Sequence, residues 1–308
     1  MSSGAALDSI LRRECSHIGK SFEHSGASRF IARPSGRSLF AKLDDHVEQT
    51  VGEAHSLVAM HRAQLESSDE SAATMSPQVH AFGKTQDGNR AYLVTDYLDL
   101  KPSLGRDAQK VLGRRLAEMH KHSIGEDGRF GFHAATYCGR QDNTWEVSWP
   151  KFWAERRIGD LVNRIHASHP DPELRKLEQQ MRDRVYPVLL APLEGIVKPC
   201  ILHGDLWSGN AGTVISSGQP AIFDSSYYGH NEAELGIMHM FGGFTQDFFA
   251  AYHEVMPKTE PYYDQRIRLY ELYHHLNHTL MFQGGYRSGA VAIMKSLIDF
   301  CDGKASAE

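Results

Sequence analysis

Cysteine is scarce in this chain: four in 308 residues, at Cys15, Cys138, Cys200 and Cys301, with no CxxC spacing. That excludes a dense disulfide framework, disfavours a cysteine-based zinc site, and makes the reducing cytoplasm the expected setting. No run of 18 apolar residues occurs, so no helical membrane span is expected. Residues 1–8 lack the basic and apolar segments of a secretion signal. An excess of positive charge is missing too. Lys and Arg number 33 against 38 Asp and Glu, a net charge of −5 and a pI near 6.4, which argues against a nucleic-acid partner. Histidine is plentiful, at 18 residues. His274, His275 and His278 stand at helical spacing, but no HExxH glutamate lies between them and no third ligand is evident, so packing and hydrogen bonding are their expected roles.

What is present is the run His203-Gly204-Asp205-Leu206-Trp207-Ser208-Gly209-Asn210, followed fourteen residues later by Asp224. It fits H-x-D-L-x-x-x-N, a frame used to move a phosphoryl group from ATP. In that frame the Asp receives the proton of the attacking hydroxyl, and the Asn and a later Asp hold magnesium. Asp205 is therefore the expected base, with Asn210 and Asp224 the expected metal ligands. Asp224 ends the apolar run Ala221-Ile222-Phe223, as expected of a short strand delivering a carboxylate. His-Gly-Asp alone is ordinary turn chemistry. The whole frame with the strand-borne second Asp is not.

The remaining patterns give an α+β chain. A helix is expected over 5–18, short strands broken by Gly and Pro over 21–43, a helix over 47–65, a polar loop over 66–76, and strands around 79–82 and 91–94. After Asp107 the pattern is mainly helical, at 108–120, 149–166, 172–186, 232–240, 245–255, 264–282 and 290–300, with an aromatic and Gly-rich loop over 128–149. This order predicts a bilobal, protein-kinase-like fold. Residues 1–98 would form a small β-rich nucleotide-binding lobe with the hinge, and 99–308 a helical catalytic and substrate lobe.

Phosphoryl transfer needs further parts. Lys42, on the expected strand 39–43, can reach the α- and β-phosphates, and Glu53 on the following helix can hold it, with Glu48 as the alternative. Ser25-Gly26-Ala27-Ser28 can offer backbone N–H groups to phosphate, although the segment is neither GxGxxG nor a Walker A motif. Asp96, Tyr97 and Leu98 would present backbone donors and acceptors to adenine.

LHGDLWSGN, FDSSYYGH, the FGGF of residues 241–244 and the loop GFH-x4-CG-x6-W-x3-WP together resemble the fructosamine kinase, or ketosamine-3-kinase, family over nearly the whole chain. That family is similar to the aminoglycoside phosphotransferases. The resemblance implies ATP- and Mg2+-dependent phosphorylation of the 3-hydroxyl of a ketosamine, either a small molecule or a glycated protein lysine. The 3-phosphate then eliminates and returns the free amine. It also implies that Trp207 stacks on the sugar, although a core-anchor role stands beside that one. His203, His230 and Glu232 would line the substrate pocket. The chain departs from the family pattern at Asp224-Ser225-Ser226, where Asp-Pro-Ala is expected, and residues 22–30 carry no cysteine. Loop stiffness is expected to change at the first position, and metal ligation is not. A monomer is favoured. Two rivals stay open: a kinase for an aminoglycoside- or choline-like alcohol, and a nucleotide-binding pseudokinase.

Overall fold

The computed structural model describes residues 3–26, 28–66, 74–123, 125, 127–137 and 141–305. Helix α1 (Ser3–Glu14) is followed by strands β1 (Ser21–His24), β2 (Arg29–Arg33) and β3 (Ser38–Asp44), helix α2 (Val47–Leu65), then β4 (Val79–Lys84) and β5 (Ala91–Asp96). The five strands form one antiparallel sheet in the order β1-β2-β3-β5-β4, with Lys42 opposite Leu93 in register. Strand alternation explains how β3 serves two faces. Leu39 and Ala41 are buried in a small core with Leu7, Leu11, Phe22, Phe30 and Val94, which seats α1 on the sheet. Phe40 and Lys42, on the alternate positions, are left for the other face.

After β6 (Leu100–Lys101) comes helix α3 (Arg106–His122), and then the helical segments 149–168 and 172–189. Four three- or four-residue strands interrupt the helices: β7 (Cys200–Leu202), β8 (Ala211–Val214), β9 (Pro220–Ile222) and β10 (Tyr227–Gly229). β7 pairs with β10, and β8 joins β6 to β9. Helices α4 (Gln246–Val255), α5 (Tyr263–Phe282) and α6 (Tyr286–Ala305) complete the chain. A large core built on Trp149, Phe152, Trp153, Phe248, Tyr252 and Tyr270 binds these parts and also takes in Leu57 and Met60 of α2. Thus α2 is packed into the large core on one side, while Glu53 is free to face the sheet.

The structure differs from expectation at element ends. The first helix stops at Glu14, four residues early, where Cys15 enters the small core and a turn begins. The segment 149–168 widens to π-type turns over Phe152–Gly159, and 172–189 does so over Met181–Val185. The helix expected from residue 232 opens with a 3₁₀ segment, Asn231–Leu235, and becomes α-helical only at Gly236–Phe241. Part of the expected loop over 66–76 lies outside the described residues.

Candidate active site

β7, buried along its length, carries the chain out of the large core into His203-Gly204-Asp205. Gly204 has φ +78°, and a Cβ there would stand 2.6 Å from the Tyr227 ring, so the turn requires glycine. The loop is fixed from beneath by Glu234, a residue the sequence did not single out. Its carboxylate is fully buried and accepts the backbone N–H groups of His203 (2.6 Å) and Gly204 (2.9 Å), with His120 Nε2 3.4 Å away. Burial pushes the Glu234 carboxyl up, but His120 and His203 outweigh it and leave the group below its ordinary range.

His203 joins the two acid-bearing segments. The Asp205 N–H donates to its Nδ1 (3.2 Å), so the ring proton sits on Nε2, which donates to the Phe223 carbonyl (2.8 Å). Asn210 Nδ2 donates to the Asp205 carbonyl (3.0 Å) and lies 3.3 Å from Asp205 Oδ2. Asp205, Asn210 and the Phe223–Asp224 turn are therefore one connected unit. Asp224 itself has φ +112°, a costly conformation for a residue with a Cβ. Ser225 Oγ donates to the His203 carbonyl (3.2 Å), so the serine that replaces the expected proline gains its own tether to the catalytic loop.

Across from this unit, Lys42 Nζ meets Glu53 Oε2 at 2.5 Å, both side chains half-buried. Glu48 takes no part in that pair, since it accepts from the Tyr137 hydroxyl. A cavity of about 370 Å3 opens beside them, lined by Phe40, Glu53, Leu57, Pro77, Thr95, Asp96, Tyr97, Leu98, Leu100 and Phe223. It is an apolar slot with a charged end, the form expected for a nucleotide base and its phosphates. Asp96, Tyr97 and Leu98 all line it, but their backbones are not equally available. The Asp96 N–H donates to Gln78 and the Tyr97 N–H to Ser38, and the Asp96 carbonyl accepts from Thr95 Oγ1. Leu98 keeps an N–H with no partner among the described residues. The Asp96 side chain is held by Arg37 (2.8 Å) and His80 (2.9 Å). Gly26, at φ +140°, and Ser28 lie between β1 and β2, and Ala27 lies outside the described residues.

Burial raises the Asp224 carboxyl to about 6; His203 and Lys42 oppose the rise, and the carboxylates of Glu53 and Asp205 add to it. Converging acids of this kind fit a bound divalent cation, which relieves both the burial and the mutual repulsion. The expected donor pair, the Asp224 carboxylate and the Asn210 amide oxygen, is of the hard oxygen type that suits magnesium. No group of three or more His, Cys, Asp and Glu able to hold a metal occurs among the described residues. In the His274–His278 segment, His278 Nδ1 bonds the His274 carbonyl (2.8 Å) and His275 pairs with Glu271 (3.4 Å).

Trp207 is 40% exposed beside the base, and its ring packs so closely on Gly209 that a Cβ there would collide with it. At that exposure it is not a buried core anchor. Three other expected substrate contacts are corrected. His203 is fully buried, with both ring nitrogens engaged. His230 is buried with Nδ1 bonded to the Tyr270 hydroxyl (2.8 Å), and burial lowers its pKa to about 4. Glu232 is buried against the Arg266 guanidinium (2.9 Å) and the Thr259 N–H (2.9 Å). These residues hold the fold behind the site.

The family model described as fructosamine kinase matches residues 27–300. A protein-ribulosamine 3-kinase, chloroplastic, from Oryza sativa subsp. japonica is 35% identical over 275 residues, covering 87% of this chain and 72% of its own. The solved structure of a Thermobifida fusca protein assigned as a fructosamine-3-kinase aligns with a TM-score of 0.75 and 25% identity, over 96% of this chain and 99% of that one. At the level of fold alone, the aminoglycoside phosphotransferase APH(4)-Ia, solved with AMP-PNP and hygromycin B, aligns at a TM-score of 0.53 and 14% identity, over 96% and 98%. The α+β architecture is thus the kinase-like one, and the chain belongs to the fructosamine kinase family.

Proposed function

We propose that the protein transfers the γ-phosphoryl group of ATP to the 3-hydroxyl of a ketosamine, the rearranged adduct of a sugar on an amine such as a lysine. One observation carries the reading beyond family membership. His203 ties the segment bearing Asp205 and Asn210 to the segment bearing Asp224, and the Lys42–Glu53 pair stands over an apolar slot across from them. Residues 1–98 serve as the nucleotide-binding part and 99–308 as the catalytic and substrate part.

Adenine occupies the slot between Phe40, Leu57, Leu100 and Phe223, with the free Leu98 N–H as its backbone donor. Lys42, aligned by Glu53, meets the α- and β-phosphates. The Gly26–Ser28 turn adds amide donors to the phosphate tail. Asn210 Oδ1 and Asp224 are the residues to hold magnesium, which when bound neutralises charge on the β- and γ-phosphates. Asp205 orients the sugar hydroxyl in line with Pγ. The new O–P bond forms as the bond to the bridging oxygen breaks, the proton passes to the Asp205 carboxylate, and ADP leaves. Positioning and fixed charge supply most of the acceleration. Trp207 offers its ring to the apolar face of the sugar.

ADP release measured with ribulosyl-lysine, fructosyl-lysine, an aminoglycoside and choline tests the reading. Turnover with a ketosamine and none with the other two is expected. Turnover of an aminoglycoside or choline without any ketosamine activity would assign the chain to the alcohol-kinase alternative. Nucleotide binding with no turnover of any acceptor would assign it to the pseudokinase alternative.

A further inference from the structure

From the rim of the acceptor site an unbroken line of rings runs outward across the surface. Trp207 lies 6.0 Å from Phe241, Phe241 5.1 Å from His278, and His278 5.5 Å from Phe282 and 5.0 Å from Tyr286. The line is built from the catalytic loop, the helix Gly236–Phe241, the end of α5 and the start of α6. Trp207 is 40%, Phe241 39% and Phe282 65% exposed along this line, and Met281, 38% exposed, precedes Phe282 on α5, one turn from His278. Scattered exposed apolar residues need no explanation, whereas a contiguous row leading out of a binding site does. The Arg287 guanidinium beside it is already taken up by Asp171 and Glu173, which leaves rings and a thioether as the chief features of the row.

We propose that this row, and in particular Met281, Phe282 and Tyr286 beyond the sugar subsite, is the docking surface for the polypeptide that carries the modified amine. Its preferred occupant is a glycated lysine flanked by apolar residues. The inference rests on the ketosamine reading above. A ketosamine has one sugar end and one amine end. With the sugar hydroxyl at Asp205 and the sugar against Trp207, the amine arm must leave the site, and the row is continuous with Trp207. The amine next to the sugar is cationic near neutral pH, and aromatic faces attract such a cation. The lysine stem is four methylenes long and matches an apolar track. Beyond it, apolar flanking residues of a peptide would cover Phe282 and Met281, in the manner of exposed anchor residues buried by a partner.

The test compares kcat/KM for three ribulosylated acceptors: Nα-acetyl-lysine, a lysine peptide with Leu and Phe flanks, and the same peptide with Gly and Ser flanks. The apolar-flanked peptide should be preferred over the free amino acid by about tenfold, mostly through KM. The variant Met281→Ser/Phe282→Ser should remove most of that preference and leave kcat/KM for the free amino acid within about twofold, with Phe282→Leu retaining part of it. Both positions are exposed, and an unchanged thermal midpoint confirms that folding is intact. Equal kcat/KM for all three acceptors, or an equal loss on all three in the variant, overturns the proposal alone. A concentration-dependent dimer that the double variant abolishes would give the face to a second copy of the chain, and overturn it likewise. Failure of every ketosamine, the free one included, refutes the underlying reading, and the proposal with it.

Discussion

Glu234→Gln tests the support of the catalytic loop most directly. The wild-type carboxylate accepts two buried backbone N–H groups, from His203 at 2.6 Å and Gly204 at 2.9 Å, and faces His120. A glutamine of the same shape keeps one acceptor oxygen and turns an amide NH2 toward the other N–H, donor against donor. One charge-assisted hydrogen bond is lost, about 1.5–3 kcal/mol, and one buried donor is stranded at a further cost of about 1–3 kcal/mol. The expected destabilisation is about 3–5 kcal/mol, the range for breaking a buried charged contact. Asp205 sits one residue beyond the released amide. A displacement of its carboxylate by about 1 Å should lower kcat by about 100-fold. The KM for ATP should change little, because Lys42, Glu53 and the apolar slot belong to other elements. Urea unfolding together with kcat and KM measurements checks all three. The folded-state pKa of Glu234 lies below its unfolded value, so its stabilisation is full at neutral pH and fades as pH falls through the folded value. The gap between wild type and variant should narrow on acidification in that window. A variant within about 0.5 kcal/mol and twofold in kcat would refute the reasoning.

Four further outcomes are expected. Asp205→Asn should lower kcat by at least about 1,000-fold, with nucleotide affinity by calorimetry unchanged within a few-fold; normal turnover would remove Asp205 from its role. Lys42→Ala should raise the KM for ATP by about tenfold or more, and Glu53→Gln should do so less, both read in steady-state kinetics. The raised Asp224 carboxyl, near 6 against an ordinary 3.8, predicts that metal-dependent ATP binding weakens as pH drops below 6, because the ligating form is the carboxylate. The same shift stabilises the metal-free protein fully below about pH 4 and is lost as pH rises through 6, a trend that Asp224→Asn should flatten in pH-dependent melting. Glu232→Gln should cost about 3–5 kcal/mol of stability through its buried Arg266 partner while leaving substrate KM unchanged in assays below the melting temperature; a raised KM with normal stability would restore its substrate role.

Residues that act through local spacing were legible in the sequence. The frame from His203 to Asn210 and the following Asp224 needs only one loop and one strand, and α2 is found at 47–65 as its periodicity indicates. The Lys42–Glu53 pair was legible because β3 and α2 are adjacent in the chain and the phosphotransfer frame demanded a cation. What escaped depends on long-range pairing. Glu232 reads like a pocket acid until Arg266, 34 residues on, is seen to bury it. Glu234 looks like one more acid in a polar turn, yet its partners lie some 30 residues upstream. The slot proposed for adenine draws Phe40, Leu57 and Leu100 from three elements and Phe223 from the turn after β9, and the Leu98 amide stays open because Gln78 and Ser38 engage its neighbours. The three-residue strands are too short for any period to register.

The imidazole of residue 203 acts as a rivet between two pieces of backbone, so the groups proposed as proton acceptor and metal ligand are held at a fixed mutual distance. On the proposed reading, Phe223 lends the same link to the slot for adenine, since its carbonyl takes the imidazole proton while its ring lines the cavity.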